Sequence, residues 1–324
     1  MERFTFCVFA YNQEDIILET LESIRFQKEK YGAQIAVSLV VMDDCSKDRT
    51  VEVVQKWITQ NRSWFERAEI IANDVNKGTV HNFCKFLRAA DTEPFKELAG
   101  DDLISSENIF ERYSDLTPRK IKTYFKTYLC DGKLSYLEKD MLNFYYNKLH
   151  CKDRAYNVKA FRKGCFFHSP STLFTRELFA SAGCEEALDG FFLFEDDPTW
   201  YSMLKNTEDL DVEFIEDIIV LYRIHSKSVS HTANTRFEAE LQKLYQMYKS
   251  EASWDERLYF ALRDMTWLPK LLRLHLYWDK IVFYKRKLQF RNDPGYKRFK
   301  EKIEKRLAEE QVFYDTVRLR LSDL

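Results

Sequence analysis

The sequence predicts an α/β fold in which a mostly parallel sheet is flanked by helices and followed by a helical C-terminal extension. Short apolar runs alternate with helix-period segments over the first hundred residues. The middle of the chain is less regular, and the pattern beyond residue 236 is almost wholly helical. At 324 residues, the chain is long enough for one large domain with a helical appendage.

Four strands and three helices are predicted to alternate in the N-terminal part. The strands are apolar runs at residues 4–10, 35–44, 68–73 and 94–100. The helices are the segments 14–27, 46–58 and 78–90. We expect Ser46 to be the N-cap of the second helix. This β-α-β-α-β-α-β order predicts a mainly parallel sheet.

Fewer elements can be predicted after residue 115. The segment "SPSTLFT" at 169–175 resembles a strand, "DDPTWYSMLK" at 196–205 resembles a helix, and residues 212–225 contain strands. We find no internal repeat and no low-complexity segment.

Composition excludes several classes of protein. The chain has 50 basic and 52 acidic residues and a net charge of −2, so we expect no nucleic-acid partner. Seven scattered cysteines without a C-x-x-C pair argue against a zinc module and a disulfide framework. We see no signal peptide and no apolar run of transmembrane length, and therefore expect a cytoplasmic protein. With only eight glycines, the chain offers no glycine-rich phosphate loop.

Polar clusters follow each of the four predicted strands: "AYN", "DDCS", "NDVNKG" and "GDD". Parallel sheets bind ligands at the carboxyl ends of their strands. Tyr11, Asn12 and Asp44 could contact the base and ribose of a nucleotide. Each motif alone would more often be a helix cap, but their joint occurrence favours a nucleotide site.

Asp101 and Asp102 stand side by side at the end of the fourth strand. Two adjacent carboxylates repel one another unless a cation lies against them. Mg²⁺ and Mn²⁺ accept one or two protein carboxylates and complete their coordination with substrate phosphates and water. We therefore expect a divalent metal ion that binds together with a nucleotide diphosphate.

The order "AYN…DDCSKDRT…NKGTVHN…LAGDDLISSE…FEDDPTW" resembles glycosyltransferase family 2, over about residues 3–232. The family's motifs are strand-YN, VDDGS-x-D-x-T, NKG-x-x-x-x-N, D-x-D-D and ED. The resemblance implies the Rossmann-like GT-A fold and an inverting transferase that uses a nucleotide-diphosphate sugar. It implies Asp101 as a metal ligand and these residues around the donor: Ala10, Tyr11, Asn12, Asp44, Lys77, Gly78, Asn82, Gly100 and Asp102.

One position departs from the family pattern. Ala99 stands where the first acidic residue of the D-x-D motif usually contacts the ribose. Metal binding through Asp101 is therefore expected, while ribose recognition is in doubt.

Glu195 and Asp196 match the family's ED motif, which implies that Asp196 is the general base and that Glu195 lies on the acceptor side. A sugar hydroxyl is a poor nucleophile, so a carboxylate within hydrogen-bond reach assists the loss of its proton. The alternative is an acidic helix start in which Asp196 or Asp197 is the N-cap before Pro198.

Two further segments resemble family sites. In "LYRIHSKSVS", Arg223 could contact the diphosphate, and His225 could be a metal ligand or a phosphate donor. In "GCFFHSPSTLFTRE", His168 and Ser169 could border the acceptor. Ordinary packing explains these residues nearly as well.

The resemblance divides the chain into a catalytic domain, 1–235, and a helical region, 236–324. The catalytic domain comprises a nucleotide-sugar half, 1–110, and an acceptor half, 111–235. Residues 267–291 alternate basic with apolar and aromatic residues, a pattern that is typical of a helix at an anionic membrane surface. Packing on the catalytic domain or on a second subunit is the alternative.

We expect an inverting glycosyltransferase of cell-surface polysaccharide synthesis. Its donor is a nucleotide-diphosphate sugar, with UDP as the expected nucleotide, and its acceptor is a saccharide or a lipid-linked saccharide. Contact with the inner face of the cell membrane and homo-oligomer formation stay open. A nucleotidyltransferase and a catalytically weak sugar-nucleotide-binding protein are the alternatives.

Overall fold

A four-stranded sheet forms the N-terminal part of the structure, a computed structural model that describes residues 2–89, 94–151, 153–164, 167–225, 235–264 and 274–322, with the backbone alone at 263–264 and 274–279. The strands are β1 (Arg3–Ala10), β2 (Ala36–Asp43), β3 (Arg67–Ala72) and β4 (Phe95–Ala99). The helices between them are α1 (Ile17–Tyr31), α2 (Thr50–Asn61) and α3 (Thr79–Ala89). The predicted alternation of strands and helices is therefore confirmed.

All neighbouring strands of this sheet are parallel, in the order β3-β2-β1-β4. Successive side chains of a strand point to opposite faces. Phe4, Phe6 and Val8 pack in one hydrophobic core, and Cys7 packs in a second core on the other face. The carboxyl ends of the strands meet at one edge, because Ala10 pairs with Asp43. This edge is where the sequence predicts a ligand.

Two smaller sheets complete the middle of the chain, in the orders β10-β6-β9 and β5-β11-β7-β8. Their strands are β5 (Leu103–Ile104), β6 (Lys120–Tyr124), β7 (Thr127–Cys130), β8 (Lys133–Ser135), β9 (Thr172–Leu173), β10 (Asp211–Ile215) and β11 (Val220–Ile224). The helices are α4 (Ile109–Arg112), α5 (Glu138–His150), α6 (Arg154–Lys163), α7 (Arg176–Ser181), α8 (Cys184–Ala187) and α9 (Asp196–Asn206). Antiparallel pairing of Leu221 with Leu103 brings the end of β11 beside the acidic pair that follows β4.

The expected N-cap at Ser46 is wrong. Helix α2 begins at Thr50, and Arg49 occupies the N-cap position without a side-chain hydrogen bond. Asp48 satisfies the first turn instead, since its carboxylate accepts from the Thr50 backbone N–H at 3.0 Å. Ser46 Oγ accepts from the Asn12 backbone N–H at 2.9 Å, so this side chain joins two loops.

The expected strand at 169–175 is also shorter than predicted. Residues Ser169–Ser171 form a 3₁₀ turn, and only β9 follows it. Pro170 lies inside the turn, and a proline cannot donate to a strand ladder. The helix prediction at 196–205 is confirmed by α9.

The described residues after the middle region form four helices: α10 (Thr235–Ser250), α11 (Trp254–Asp264), α12 (Leu274–Phe290) and α13 (Pro294–Ser322). Helix α13 packs on the N-terminal part. Phe313 lies 4.6 Å from Phe26, measured between ring centroids, and Glu310 accepts from the Ser106 backbone N–H at 2.8 Å. The helical region therefore shares a core with the N-terminal part, while the predicted domain boundaries stay a prediction.

One face of α12 packs and the other is open. Phe290 is buried, and the Arg286 guanidinium lies 4.0 Å above the Tyr146 ring of α5. Three apolar side chains on the open face are 59%, 61% and 71% exposed: Ile281, Tyr284 and Leu288. The start of the basic segment, 267–273, lies outside the described residues. Among the described helices, none is long and apolar enough to cross a membrane.

Candidate active site

A cavity of about 1080 Å³ opens at the carboxyl edge of the parallel sheet. The predicted site residues that line it come from both halves of the catalytic part: Ala10, Tyr11, Asn12, Asp44, Gly78, Asn82, Asp101, Asp102, His168, Glu195, Asp196 and His225. Lys77, Gly100 and Arg223 are not among its lining residues. The fold therefore gathers most of the predicted site.

Tyr11 and Asn12 turn the chain at the end of β1. Asn12 has a φ of 52°, a left-handed conformation that asparagine tolerates better than most residues. Its side-chain oxygen accepts from the Lys47 backbone N–H at 2.7 Å, which ties this turn to the loop after β2. Tyr11 is 46% exposed beside the cavity. The Tyr11 ring is thus available for a ligand, whereas Asn12 Oδ1 is engaged within the protein.

Asp44 holds the loop that follows β3. Its carboxylate accepts from the backbone N–H groups of Lys77 and Gly78, both at 2.8 Å, and from Asn73 Nδ2 at 3.0 Å. Asn82 Oδ1 accepts from the same Asn73 amide at 2.8 Å. The Lys77 side chain is exposed outside the cavity lining. The contacts of these motif residues within the protein therefore hold the loop that follows β3.

Position 78 requires a glycine because the Phe192 carbonyl group lies very close to it. Its φ is +84°, and a Cβ at this position would lie 2.4 Å from the Phe192 carbonyl oxygen. The Val80 backbone N–H donates to that same carbonyl at 3.2 Å. The glycine thus allows the 191–194 loop, which leads to Glu195 and Asp196, to lie against the nucleotide motifs.

Asp101 and His225 form a pair at the end of β4. Asp101 Oδ2 lies 2.9 Å from His225 Nε2, and the two side chains are 17% and 24% exposed. A carboxylate oxygen and an imidazole nitrogen are both ligands that Mn²⁺ accepts. Within the described ranges, no group of three or more acidic, histidine or cysteine side chains forms a ready metal site. The pair fits an ion whose other ligands are substrate phosphates and water.

Asp102 is fully buried beside this pair. Its Oδ1 accepts from the Arg223 backbone N–H at 2.9 Å, whereas its buried Oδ2 has no hydrogen-bond partner in the described part of the chain. Burial and the Asp101 carboxylate raise the pKa of Asp102 well above its usual range. An orphaned carboxylate oxygen in a cavity wall is a site for a ligand donor or a cation.

Arg223 and Gly100 support the turn after β4. The Arg223 Nε donates to the Asp101 carbonyl at 2.8 Å, and its guanidinium pairs with Glu19. The Gly100 backbone N–H donates to the Phe9 carbonyl at 2.8 Å, and Thr20 Oγ1 donates to the Gly100 carbonyl at 2.9 Å. Both residues thus position the acidic pair, and direct donor contact by either stays a prediction.

Glu195 and Asp196 line the same cavity and lie at the start of α9. Burial and the Asp196 carboxylate raise the pKa of Glu195 well above its usual range. Burial also raises the pKa of Asp196, but the Asp197 backbone N–H and the Lys126 ammonium oppose that rise. Glu195 is the N-cap residue and makes no side-chain cap bond, so the predicted alternative of an aspartate N-cap is wrong.

His168 borders the same region. Its Nδ1 lies 2.8 Å from Ser171 Oγ, and its buried Nε2 has no hydrogen-bond partner among the residues described. Burial and the Lys126 ammonium lower the pKa of His168 well below its usual range, so the ring is neutral at physiological pH. Ser169 Oγ accepts from the Trp200 indole N–H at 3.2 Å.

Three charged residues at the site were not predicted from the sequence. Glu240 of α10 accepts from the backbone N–H groups of the loop before Glu195, at 3.1, 2.9 and 3.3 Å; these belong to Phe192, Leu193 and Phe194. Lys126 and Glu97 line the cavity. Only Glu97 had a local signal, because a charged pair, Lys96 and Glu97, interrupts the apolar run of β4.

Comparisons with known proteins agree with the motif order. The family model described as glycosyl transferase family 2 matches residues 5–180. Two curated proteins of Staphylococcus aureus, from strains Mu50 and MW2, are 30% identical to the chain over 132 residues. Both are named poly(ribitol-phosphate) beta-N-acetylglucosaminyltransferase TarS. The match covers 38% of this chain and 21% of each relative, so the chain spans about a fifth of their length.

Similar solved structures include S. aureus TarS 1–349 in complex with UDP, at 17% identity and a TM-score of 0.49, with 78% of this chain and 67% of that chain covered. The same fragment in complex with UDP-GlcNAc has 17% identity and a TM-score of 0.48, with 72% and 62% covered.

Proposed function

The chain belongs to glycosyl transferase family 2, and on that premise we propose that it moves a sugar from a nucleotide-diphosphate sugar to a saccharide acceptor with inversion at the anomeric carbon. The observation that carries this proposal is the single cavity that both the β4 acidic pair and the Glu195–Asp196 pair line. A donor diphosphate and an acceptor base are needed in one site for direct displacement.

The donor would lie along the carboxyl edge of the sheet. The Tyr11 ring is exposed for stacking on the base, and the backbone around Gly78 bounds the cavity nearby. The Asp101–His225 pair would hold Mn²⁺ or Mg²⁺, which supplies positive charge to the diphosphate as it leaves. A UDP-sugar is the donor that the family resemblance implies.

Asp196 is the proposed general base. In the displacement, the acceptor oxygen forms a bond to the anomeric carbon, the bond from that carbon to the diphosphate oxygen breaks, and the acceptor proton passes to the Asp196 carboxylate. The Lys126 ammonium favours the ionised form of Asp196, which a base requires. Glu195 lacks this compensation, because burial and Asp196 both act against its ionisation.

For the transferred sugar and the acceptor, we propose the biological setting and the chemical class of the acceptor. The staphylococcal relatives are named as N-acetylglucosaminyltransferases that act on poly(ribitol-phosphate), which supports cell-surface polysaccharide synthesis as the setting. A lipid-linked saccharide acceptor would place the reaction at the inner face of the cell membrane. The exposed apolar side chains and the basic residues of α12 support a contact with anionic lipid.

The experiment that tests the function is sugar transfer from a panel of UDP-sugars, with Asp196→Asn as the variant and Asp197→Asn as its control. Asparagine keeps the size of the side chain but cannot take the proton, so we expect a loss of about 10²- to 10⁴-fold in transfer rate with UDP affinity unchanged. Asp197→Asn should retain most activity. No transfer by the wild-type protein from any donor would favour a binding protein, and equal activity of Asp196→Asn would refute the base.

A further inference from the structure

Strand β4 carries a charged pair that neither the family motifs nor the proposed mechanism uses. Lys96 is fully buried, and its Nζ lies 3.0 Å from Glu97 Oε1. A buried ammonium is costly without a partner, and this one has an adjacent carboxylate. Glu97 is 13% exposed and lines the cavity, so its side chain faces both the ammonium and the cavity.

The Glu97 carboxylate has one side-chain partner within the described chain. Oε1 accepts from Lys96, and the carboxylate also interacts with its own backbone N–H, but no hydrogen bond to Oε2 from another of the described residues is found. Neutralisation of Lys96 alone would not require the Glu97 carboxylate to line the cavity. Its position allows Oε2 to accept from a ligand hydroxyl.

The position of Glu97 along β4 fits the sugar rather than the nucleotide. Residues 97 and 99 share one face of the strand and are about 7 Å apart along it. Ala99 also lines the cavity, and its methyl group leaves open the space that a longer acidic side chain would fill. Glu97 is therefore exposed to a ligand group that reaches beyond the position of Ala99.

Glu97 also lies near the acceptor side of the cavity, because its charge contributes to the raised pKa of Glu195. In the proposed reaction, the anomeric carbon has the diphosphate on one side and the acceptor oxygen on the other. The transferred sugar must then occupy the space between the β4 acidic pair and Asp196. Glu97 and Ala99 line the cavity that contains this space.

We propose that Glu97 is a specificity-determining residue that accepts hydrogen bonds from hydroxyl groups of the transferred sugar, on the side of the ring away from the anomeric carbon. This inference rests on the proposed function. A carboxylate oxygen accepts from vicinal hydroxyls more strongly than a neutral acceptor does. Lys96 holds the carboxylate in place from the buried side.

Calorimetry with UDP and with UDP-glucose and UDP-N-acetylglucosamine tests the proposal in Glu97→Gln and Glu97→Asp. Both variants should bind UDP as the wild type does and bind the preferred UDP-sugar about 10- to 100-fold more weakly, the range expected for a lost bond to a charged group. Glu97→Asp keeps the charge beside Lys96 but withdraws the oxygens by one methylene. Equal losses for UDP and UDP-sugar, or no loss, would overturn the proposal.

Glu22→Gln is the matched control, since Glu22 is 1% exposed, pairs with Arg25 at 2.7 Å and is not a cavity-lining residue. It should lower thermal stability without changing the difference between UDP and UDP-sugar affinity. Deoxygenated donors give a second test on the wild-type chain: a 3-deoxy or 4-deoxy sugar should lose affinity by a similar factor, and no loss with either would refute the proposal. If no UDP-sugar binds the wild type, the proposed function fails instead.

Discussion

Asp101 Oδ2 lies 2.9 Å from His225 Nε2, although 124 residues separate them in the chain. The pairing of β11 with β5 brings them together, because it sets Leu221 opposite Leu103. Neither residue alone distinguishes a metal ligand from an ordinary polar side chain. Their juxtaposition at the end of β4 brings a carboxylate oxygen and an imidazole nitrogen together, and this pair is the metal site that we propose.

Asp101→Ala and His225→Ala are each expected to weaken Mn²⁺-dependent UDP binding. Substitution of a residue that only supports a metal ligand typically weakens metal binding by about 10- to 100-fold. Loss of a direct ligand should therefore weaken metal-dependent UDP binding by about 10-fold or more. Calorimetry with UDP measures the effect in Mn²⁺ and, as the control, in a chelator. Identical affinities of the variants and the wild type in Mn²⁺ would refute the metal site.

As the pH is lowered, the transfer rate is expected to begin to fall at a pH above the ordinary pKa range of an aspartate. Asp196 must be ionised to take a proton, and burial raises its pKa, so the base is neutralised at a higher pH than an exposed carboxylate would be. Lys126→Met removes a charge that lowers this pKa and should move the acid limb to still higher pH. A pH profile of kcat measures both effects; an unchanged limb in Lys126→Met would contradict the assignment.

Glu240→Gln is expected to lower kcat more than it raises the KM for the donor. Its carboxylate holds three successive backbone N–H groups of the loop that leads to Glu195 and Asp196, and a neutral amide holds them less strongly. We expect a loss of about 1–3 kcal/mol in the free energy of unfolding, measured by denaturant titration.

The matched control is Glu238→Gln, the same change on the same helix at an exposed position. It should leave both kcat and stability close to the wild-type values. A KM increase without a kcat decrease in Glu240→Gln would indicate that the loop serves donor binding rather than the base.

Substitution of Ile281, Tyr284 and Leu288 by serine should reduce binding to anionic vesicles while leaving UDP affinity unchanged. These side chains are exposed on α12, so their loss disturbs no described core. Vesicle co-sedimentation measures the binding, with Leu258→Ser of α11, 56% exposed, as the control. Equal binding of the triple variant would favour packing on a second subunit or no docking role.

Deletion of residues 267–324 would not test the membrane contact. It would remove Phe299 and Ile303, which are fully buried, together with Phe313, which packs on Phe26. The truncated chain would therefore expose its core, and a loss of vesicle binding would have two explanations.

The pattern of residues was enough to predict the parallel sheet, the order of its strands along the chain and the edge at which polar residues collect. These follow from local physics: apolar runs form buried strands, helix-period segments cover them, and parallel strands end at the same edge. The order of the motifs also indicated the family, and most of the site residues predicted from it line the cavity.

Helix caps and loop supports could not be predicted in the same way. Ser46 has the chemistry of an N-cap, yet it joins two loops, because Asp48 lies closer to the first turn of α2. Asp44 has the chemistry of a ribose contact, yet its oxygens already accept three hydrogen bonds from the loop after β3. A short polar side chain can form hydrogen bonds with several kinds of nearby group, and the folded chain sets which of these groups are near.

Contacts between segments that are distant in sequence could not be predicted and are seen only in the folded chain. Glu240 gives no local signal of its three bonds to the 192–194 backbone, and Arg223 is turned towards Glu19 rather than into the cavity. Glu97 gains its exposure to the cavity from the strand register and from the small side chain at Ala99. Such placements depend on packing between elements that are far apart in sequence, where a side chain's partners are set by the fold and not by its neighbours along the chain.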